Sequence, residues 1–352
     1  MLSKIIVSPS PHISGPLSTR RVMGDVIIGL MFPFAAAVYY FRLYAITLTL
    51  TCVVSCVVTE YLCNLLRRRP RPAESLSDLS AVVTGIILAF SVPPALPLWA
   101  AILGSVFAIA IGKMVFGGLG SNIFNPAMAG RAFLTASFGM LMTTWTVPAT
   151  INPDMPIVGS DEAYNAQLVP NAVLVKPDAR TMATPLAKSK EAIKSKSGAK
   201  ELNSLFNTAL TGEVGGCLGE TSAVMIAVGG LYMLIRKTIN PHMPVAVLLS
   251  TFVCALIAYL INPEAYMNPF MHIASGGIVL CAFFIATDPV TAPLSIRGMW
   301  IFGIGVGALT MLIRLVGEYP GGVMYSVLLM NSVTPLIDRL CKLTPAGGKP
   351  GA

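Results

Sequence analysis

Three carboxylates lie within or beside long apolar stretches of this 352-residue sequence, namely Asp25, Glu60 and Asp288. A charged group is costly in an apolar environment, so such carboxylates often belong to a pathway for cations or protons. Asp25 stands one helical turn from Arg21 and could pair with it, and Asp288 could instead cap a helix end. Glu60 is the hardest to explain in another way. We expect Glu60 and Asp25 to contribute to a cation path, with Asp288 as a further candidate.

A glycine-rich polar stretch from Gly117 to Phe133 interrupts the apolar pattern and contains Asn122, Asn125 and Arg131. Polar groups at membrane depth are tolerated only where they are buried in protein or line a cavity. The stretch therefore predicts one of two arrangements. Either these three side chains contact a ligand, or the chain makes a tight re-entrant turn from which Arg131 extends to the cytoplasmic interface.

The elements that carry these residues are predicted to be membrane helices. Hydrophobic residues make up 55% of the sequence and charged residues 11%, which lies outside the usual range of soluble proteins. A helix needs about 20 residues to cross a hydrocarbon core of about 30 Å. Apolar segments of about that length occur near Val22–Phe41, Leu43–Leu66, Asp78–Ser91, Pro97–Phe116, Asn125–Thr143, Glu220–Ile235, Met243–Ile261, Phe270–Ala286, Arg297–Leu315 and Gly321–Ile337.

The distribution of lysine and arginine predicts which connections face the cytoplasm, because short cytoplasmic loops are enriched in these residues. With the N-terminus inside, the short outside connections have only Arg42 and Arg314. The inside segments carry Lys4, Arg20, Arg21, Arg67, Arg68, Arg69, Arg71, Lys113, Arg236, Lys237, Arg297, Arg339, Lys342 and Lys349. Both termini are therefore expected in the cytoplasm.

These patterns predict an all-α polytopic membrane protein with about ten transmembrane helices, arranged as two inverted five-helix repeats. Residues 1–21 form a cytoplasmic segment without a cleavable signal peptide, and residues 22–143 form the first repeat. Residues 144–219 form a long extracytoplasmic loop, residues 220–338 the second repeat and residues 339–352 a cytoplasmic tail.

Cysteine content and net charge argue against several other classes. The seven cysteines include no Cys-x-x-Cys pair, so we predict neither a disulfide framework nor a metal site. Cys52, Cys56 and Cys63 share one face of the second helix, and we interpret them as packing residues rather than as a metal-binding edge. The net charge of +8 resides largely in short connections, so no nucleic-acid partner is expected.

The long loop contains Asp178-Ala179-Arg180-Thr181-Met182-Ala183-Thr184, which reads Asp-x-x-Thr-x-Ala-Thr. This pattern resembles the motif on which a flavin transferase attaches FMN, through its phosphate, to the hydroxyl of the last threonine. The resemblance implies a covalent FMN on Thr184, with Asp178, Thr181 and Ala183 serving recognition by the transferase. The alternative is an ordinary solvated loop that carries no cofactor.

Three stretches together resemble a known family. They are Gly117–Ala127 with Gly130–Phe133, the motif that ends at Thr184–Leu186, and Ala286–Pro293. The sequence resembles the D subunits of the Rnf ferredoxin:NAD+ oxidoreductase complexes over essentially its whole length. It is also similar to the B subunit of the sodium-translocating NADH:quinone reductase, and its short N-terminal segment favours the Rnf resemblance.

The resemblance implies a membrane subunit of a redox-driven translocase in the bacterial inner membrane, which is not an enzyme on its own. Electron transfer through its flavin would be coupled to movement of Na+ or H+, with the other Rnf subunits as partners. It also implies a second flavin, a noncovalent riboflavin in the membrane part. Asn122 and Asn125 would hydrogen-bond a flavin edge or ribityl chain, and Arg131 would stabilise a reduced, anionic ring.

Two alternatives have no redox role for the chain itself. An inverted-repeat secondary transporter of a small solute would explain the apolar segments and broken helices equally well. A structural scaffold for flavin-bearing partners would leave Thr184 unmodified. A covalent flavin distinguishes both from the electron carrier.

Overall fold

The computed structural model describes the chain in seven stretches. These are residues 18–68, 70–145, 184–195, 206–212, 215–317, 319 and 321–342. Throughout these stretches the regular secondary structure is helical, and none of them contains a β-strand. This agrees with the all-α class expected from composition.

The helices of the N-terminal half follow the predicted apolar segments closely. They are α1 (Thr19–Phe41), α2 (Leu43–Leu66), α3 (Ser80–Phe90), α4 (Leu98–Ile109), α5 (Pro126–Ser137) and α6 (Gly139–Thr143). Helix α4 continues without a break into a π-helical turn over Ala110–Met114. Such a turn shifts the helical register by one residue and often occurs at functional sites.

The C-terminal half is also helical in the residues that the structure describes. Its helices are α7 (Pro185–Ser195), α8 (Phe206–Thr211), α9 (Ala223–Ile235), α10 (His242–Ile261), α11 (Pro269–Ala274), α12 (Ile278–Leu280), α13 (Ile296–Leu315) and α14 (Val323–Leu340). A π-helical turn over Cys281–Ile285 extends α12. Each of the predicted apolar segments thus coincides with one or more helices.

Helices α1, α2, α10 and α13 are long and apolar enough to cross a membrane, and α3, α4 with its π-turn and α9 are shorter apolar helices. Large apolar side chains such as Leu50 and Ile257 remain more than half exposed. Exposure of that kind is costly in water and favourable in lipid. The chain is therefore a membrane protein.

Two segments depart from a simple spanning helix. Helix α3 has 11 residues, which corresponds to about 16 Å at 1.5 Å per residue and is too short to cross alone. The eighth predicted segment is interrupted between α11 and α12 at Ser275–Gly277. Half-length helices of this kind place helix ends, with their unpaired backbone groups, inside the protein.

The helix ends meet in two sets at opposite ends of the bundle. At the end where α1 begins, Thr238 beyond α9 donates a hydrogen bond to Asp25 of α1 at 2.9 Å. At the end where α1 finishes, the Tyr40 hydroxyl donates to the backbone oxygen of Thr211 at 2.8 Å. Helices α1 and α9 are therefore antiparallel neighbours.

Glycines allow close contact between these helices. A Cβ atom built on Gly229 of α9 would lie 2.2 Å from the backbone oxygen of Gly29 in α1. The same construction on Gly24 of α1 meets no atom within 4 Å. Small residues of this kind are typical of helix contacts inside membranes, where packing replaces the hydrophobic effect.

We expect Gly229→Ala to destabilise the bundle, because the clashing atom is backbone and cannot rotate away. Overpacking typically costs about 1–3 kcal/mol, against a gain in helix propensity of about 1 kcal/mol. Thermal unfolding in mild detergent, followed by circular dichroism, measures the effect. Gly24→Ala is the matched control and should leave the midpoint unchanged or raise it.

Candidate functional site

A polar cavity, here called the Asn122 cavity, lies at the end of the bundle where α1 begins. Its volume is about 60 Å³. Residues from α1, α3, the π-turn after α4, the loop before α5 and the region after α12 line it. The polar ones are Ser80, Thr84, Lys113, Asn122, Asn125, Thr287 and Asp288. The cavity has room for a few water molecules, so a larger ligand must displace apolar side chains at its rim.

The two predicted asparagines line this cavity, but their side-chain oxygens differ in whether they are already hydrogen-bonded. Asn125 caps α5, because its Oδ1 accepts hydrogen bonds from the backbone nitrogens of Ala127 and Met128 at 3.1 and 3.3 Å. Asn122 donates to the backbone oxygen of Phe124, and its buried Oδ1 has no partner among the described residues. An unpartnered buried acceptor is costly. Asn122 is therefore the better candidate for contact with a ligand.

Glu60 forms a fully buried ion pair with Lys113 beside this cavity. Lys113 Nζ lies 2.7 Å from Glu60 Oε2, and both side chains are at most 2% exposed. The ammonium also donates to Ser80 Oγ at 2.6 Å. Lys113, counted among the inside cations, is thus buried in the protein, because the π-turn directs it inward.

Asp25 is also buried, but it pairs with α9 rather than with Arg21. Its Oδ1 accepts a hydrogen bond from Arg236 at 3.3 Å, and its Oδ2 accepts one from Thr238 at 2.9 Å. Tyr232 donates a longer one at 3.4 Å. The alternative of a local pair with Arg21, one turn away, is thus replaced by a contact between two helices.

Asp288 caps the turn that follows the π-helical Cys281–Ile285. Its carboxylate accepts hydrogen bonds from the Val290 backbone nitrogen at 3.2 Å and the Thr291 hydroxyl at 3.1 Å. Burial raises the pKa of Asp288 above its ordinary value, although both hydrogen bonds act to lower it. The same side chain lines the Asn122 cavity, so capping and contact with a ligand are compatible.

A second cavity, here called the Thr184 cavity, lies at the opposite end and has a volume of about 50 Å³. It contains a hydroxyl, a guanidinium and a carboxylate among aromatic rings. Its lining includes Arg131, Thr135, Trp145, Thr184, Glu220, Tyr319 and Tyr325. A typical ligand pocket exceeds about 300 Å³, so this cavity alone is too small for a flavin ring.

Thr184 is the N-cap of α7. Its Oγ1 accepts a hydrogen bond from the Ala187 backbone nitrogen at 3.0 Å, and the side chain is buried. Leu186 follows and packs with Met271 and Ala274 of α11 in a small apolar cluster. The start of α7 is thereby held against the membrane helices. Asp178, Thr181 and Ala183 lie outside the described residues.

The structure separates Arg131 from the two asparagines. Arg131 follows Asn125 by six residues, which is about 9 Å along α5, and it lines the Thr184 cavity. Its Nη2 donates to Cys217 Sγ at 3.6 Å. The prediction that all three side chains share one site is wrong, and so is the alternative in which Arg131 extends to the interface beside Asn122.

Arg314, predicted at a helix end beside an outside connection, lies in the last turn of α13 and extends into the helix interruption. Its guanidinium is buried and donates to the backbone oxygens of His272 at 2.6 Å and Ser275 at 3.1 Å. These carbonyls belong to the end of α11, where the interruption leaves them without helical partners. Gly276 has φ +74° there and lies against Leu186.

Sequence reasoning missed Lys113 and Arg314 as site residues, and it gave no role to Glu220, Tyr325 or Trp145. The two cations had one detectable signal, since each is an isolated charge inside or at the end of an apolar segment. The lining residues had no such signal, because only the folded helices bring them together. Cys52 and Cys56 are buried free thiols between helices, as packing residues would be.

Comparison with known proteins shows the family to which the chain belongs. The model of the NQR2, RnfD, RnfE family matches residues 6–347. A protein of Acetobacterium woodii, named as the D subunit of a Na+-translocating ferredoxin:NAD+ oxidoreductase complex, is 41% identical, covering 96% of this chain and 94% of its own. One of Clostridium ljungdahlii, named as the D subunit of a proton-translocating ferredoxin:NAD+ oxidoreductase complex, is 38% identical, covering 95% and 93%.

Proposed function

Because the chain belongs to the NQR2, RnfD, RnfE family, we propose that it is a membrane subunit of an ion-translocating ferredoxin:NAD+ oxidoreductase complex of the Rnf type. It works as part of this redox-driven translocase rather than as an enzyme by itself. Near-complete coverage of both chains in the comparisons supports this assignment. The Acetobacterium and Clostridium relatives are named for different ions, so the coupling ion of this chain is Na+ or H+.

We place the subunit in the bacterial inner membrane as ten crossings in two inverted repeats, with both termini cytoplasmic. A shared local motif supports the inverted relation. Asn125 before Pro126 caps α5 by accepting from Ala127, and Asn268 before Pro269 caps α11 by accepting from the Phe270 nitrogen at 3.0 Å. One Asn-Pro start lies at the Asn122 cavity, and the other lies at the end that holds the Thr184 cavity.

Thr184 carries FMN through a phosphoester, and the helix start at this residue is the observation that supports the assignment. A helix N-terminus stabilises negative charge through its dipole and its unpaired backbone N–H groups. At the start of α7 Pro185 has no N–H and the Ala187 N–H donates to Thr184 Oγ1, which leaves the Leu186 N–H and the helix dipole for an anion. Arg131 lines the same cavity and has guanidinium donors beyond the one directed at Cys217. The residues therefore fit a phosphoryl group, whereas the ring would extend beyond this small cavity.

The described residues supply positioning and electrostatics at this site. Thr184 anchors the phosphoryl group, and the backbone at the start of α7 and Arg131 stabilise its negative charge. Tyr325 and Trp145 provide aromatic surface at the cavity wall. When bound, FMN supplies electron transfer, which no side chain here can supply. A flavin transferase installs it during maturation.

The Asn122 cavity is the place we assign to a noncovalent riboflavin. The unpartnered Asn122 Oδ1 fits an N–H or O–H donor of a flavin edge or ribityl chain. The Ser80 and Thr84 hydroxyls already donate to Asp78 Oδ1 and to the Ser80 backbone oxygen, so they offer acceptor oxygens to a ligand. Lys113 adds an ammonium donor and Phe284 a ring. This polar set fits the polar part of the cofactor, and the apolar rim, including Met23 and Leu119, would have to open for the ring.

The covalent assignment predicts fluorescence in the protein band itself. Protein expressed with its transferase should give a fluorescent band under ultraviolet light on a denaturing gel, and Thr184→Ala should give a dark band of equal staining. Thr143→Ala is the matched control, because it removes another hydroxyl of the same cavity and should stay fluorescent. A dark wild-type band would favour the transporter or scaffold alternatives.

Glu60 and Asp25 are proposed to contribute to the ion path, with Asp288 beside them. Each of the first two is a buried carboxylate already paired with a cationic side chain, and such a pair is a site where a transported cation could compete. Glu60→Gln and Asp25→Asn should each reduce ion transport into inverted vesicles several-fold. Electron transfer measured in parallel separates transport from assembly, and undiminished transport in both variants would refute the proposal.

A further inference from the structure

Lys113 lies between two negative partners, one present in the structure and one supplied by the proposed function. Its ammonium contacts Glu60 at 2.7 Å and Ser80 at 2.6 Å on one side. On the other side Lys113 lines the Asn122 cavity. Of the described residues that line this cavity, Lys113 carries the positive charge and Asp288 the negative charge.

The surroundings of Lys113 make its charge effective over the cavity. The side chain is 1% exposed, so water screens it little and its interaction with a nearby charge is strong. It sits on the π-helical Ala110–Met114, where Gly112, Lys113 and Met114 are all buried. The Lys113 ammonium donates to Ser80 Oγ, and the Ser80 backbone nitrogen in turn donates to Asp78 Oδ1 at 2.7 Å.

We propose that Lys113 is a shared cation that couples charge in the Asn122 cavity to Glu60. This inference rests on the proposed noncovalent flavin and assigns that site its charge-compensating residue. With a neutral occupant, Lys113 pairs with Glu60 as observed. When the occupant gains negative charge, Lys113 is attracted toward the cavity and its hold on the Glu60 carboxylate weakens.

The charge balance gives this coupling a direction. One electron that arrives from a redox partner in the complex without a proton adds one negative charge to the cavity. The positive charge of Lys113 compensates it, which leaves the Glu60 carboxylate to take one Na+ or one proton from solution. Loss of the electron returns Lys113 to Glu60 and expels that cation. The added negative charge in the cavity and the Glu60 carboxylate thus compete for one ammonium group, so electron uptake favours cation binding at Glu60.

Redox titration of the intact complex tests the inference. Noncovalent flavin is first extracted from the denatured complex and quantified, and its midpoint potential is then followed by absorbance. Glu60→Gln should raise the potential, since Lys113 loses its anionic partner. Compared with Glu60→Gln alone, the double variant Glu60→Gln with Lys113→Met should have an equilibrium constant for one-electron reduction of the flavin that is at least about tenfold lower. This corresponds to a midpoint potential lower by about 59 mV. Glu60→Gln leaves the buried Lys113 ammonium without its carboxylate and lowers stability, whereas the double variant removes both charges, so the flavin content of each purified complex serves as the check on folding.

A second ion pair, between the buried Asp25 and the 43% exposed Arg236, provides the control. Asp25→Asn, alone and combined with Arg236→Met, makes the same charge changes at a pair that does not line the cavity. These variants should leave the flavin potential unchanged. A reduced-minus-oxidised infrared difference spectrum should also show a carboxylate band that Glu60→Gln removes and that Asp25→Asn retains.

The outcomes distinguish the role of Lys113 from the assignment of a noncovalent flavin to the Asn122 cavity. Equal flavin potentials in Glu60→Gln and in the double variant, with flavin present in normal amount, would overturn the role of Lys113 but not the flavin site. A wild-type complex whose noncovalent flavin is absent, or remains after Asn122→Leu, would overturn the cofactor site and this inference together. A shift of the expected size with the Glu60 band would establish the coupling.

Discussion

Lys113→Met is expected to lower the free energy of unfolding by about 3–5 kcal/mol, the usual cost of removing one partner of a buried ion pair. The reason is that the Glu60 carboxyl group, 1% exposed, would lose its counterion in a low-dielectric interior. Titration from mild detergent into sodium dodecyl sulfate, followed by circular dichroism, measures the change.

A double variant tests whether the loss of stability comes from breaking the Glu60–Lys113 ion pair. Glu60→Gln combined with Lys113→Met replaces the pair by neutral side chains of similar size and should recover most of the lost stability. An exposed lysine, Lys188 on α7, serves as the control for a lost positive charge, and its replacement by Met should change stability by no more than about 0.5 kcal/mol. Additive losses from Glu60→Gln and Lys113→Met would contradict a coupled pair.

The helices of this protein could be predicted from the sequence because membrane crossing sets a minimum length for apolar segments. The predicted Leu43–Leu66 and Met243–Ile261 segments correspond closely to α2 and α10. The interior of the eighth segment could not be predicted in the same way. Gly276 and Gly277 have low helix propensity, but glycine is also frequent inside membrane helices, so the sequence alone does not locate the interruption. Arg314, which is distant in sequence, binds the freed carbonyls.

The candidate sites show where spacing along the chain misleads. Asn125 and Arg131 are six residues apart, which suggests one ligand, but a helix of that length carries them to different cavities. Lys113 resembles a loop residue because a regular 3.6-residue pattern gives no sign of the π-turn that buries it. The burial of the Glu60 carboxylate could be predicted, since its cost in an apolar helix is visible without a fold.

Arg314→Met should be the second strongly destabilising change, with a loss of about 3 kcal/mol or more. Hydrogen bonds from a charged donor contribute about 1.5–3 kcal/mol each, and the variant leaves the buried carbonyls of His272 and Ser275 without a donor. Arg314→Lys should recover only part of the loss, because an ammonium lacks the planar fork that reaches both oxygens. Unfolding in sodium dodecyl sulfate measures both variants.

The position of Arg314 also links the helix interruption to Thr184. Its guanidinium and Leu186 both contact the space around Gly276, so loosening the interruption should release the start of α7. Trypsin cleavage at the exposed Lys188 should then become faster in Arg314→Met, before global unfolding. Arg297→Met, an exposed position at the other end of the same helix α13, is the matched control and should leave both cleavage and stability nearly unchanged. Unaltered cleavage in Arg314→Met would mean that α7 is held independently of the interruption.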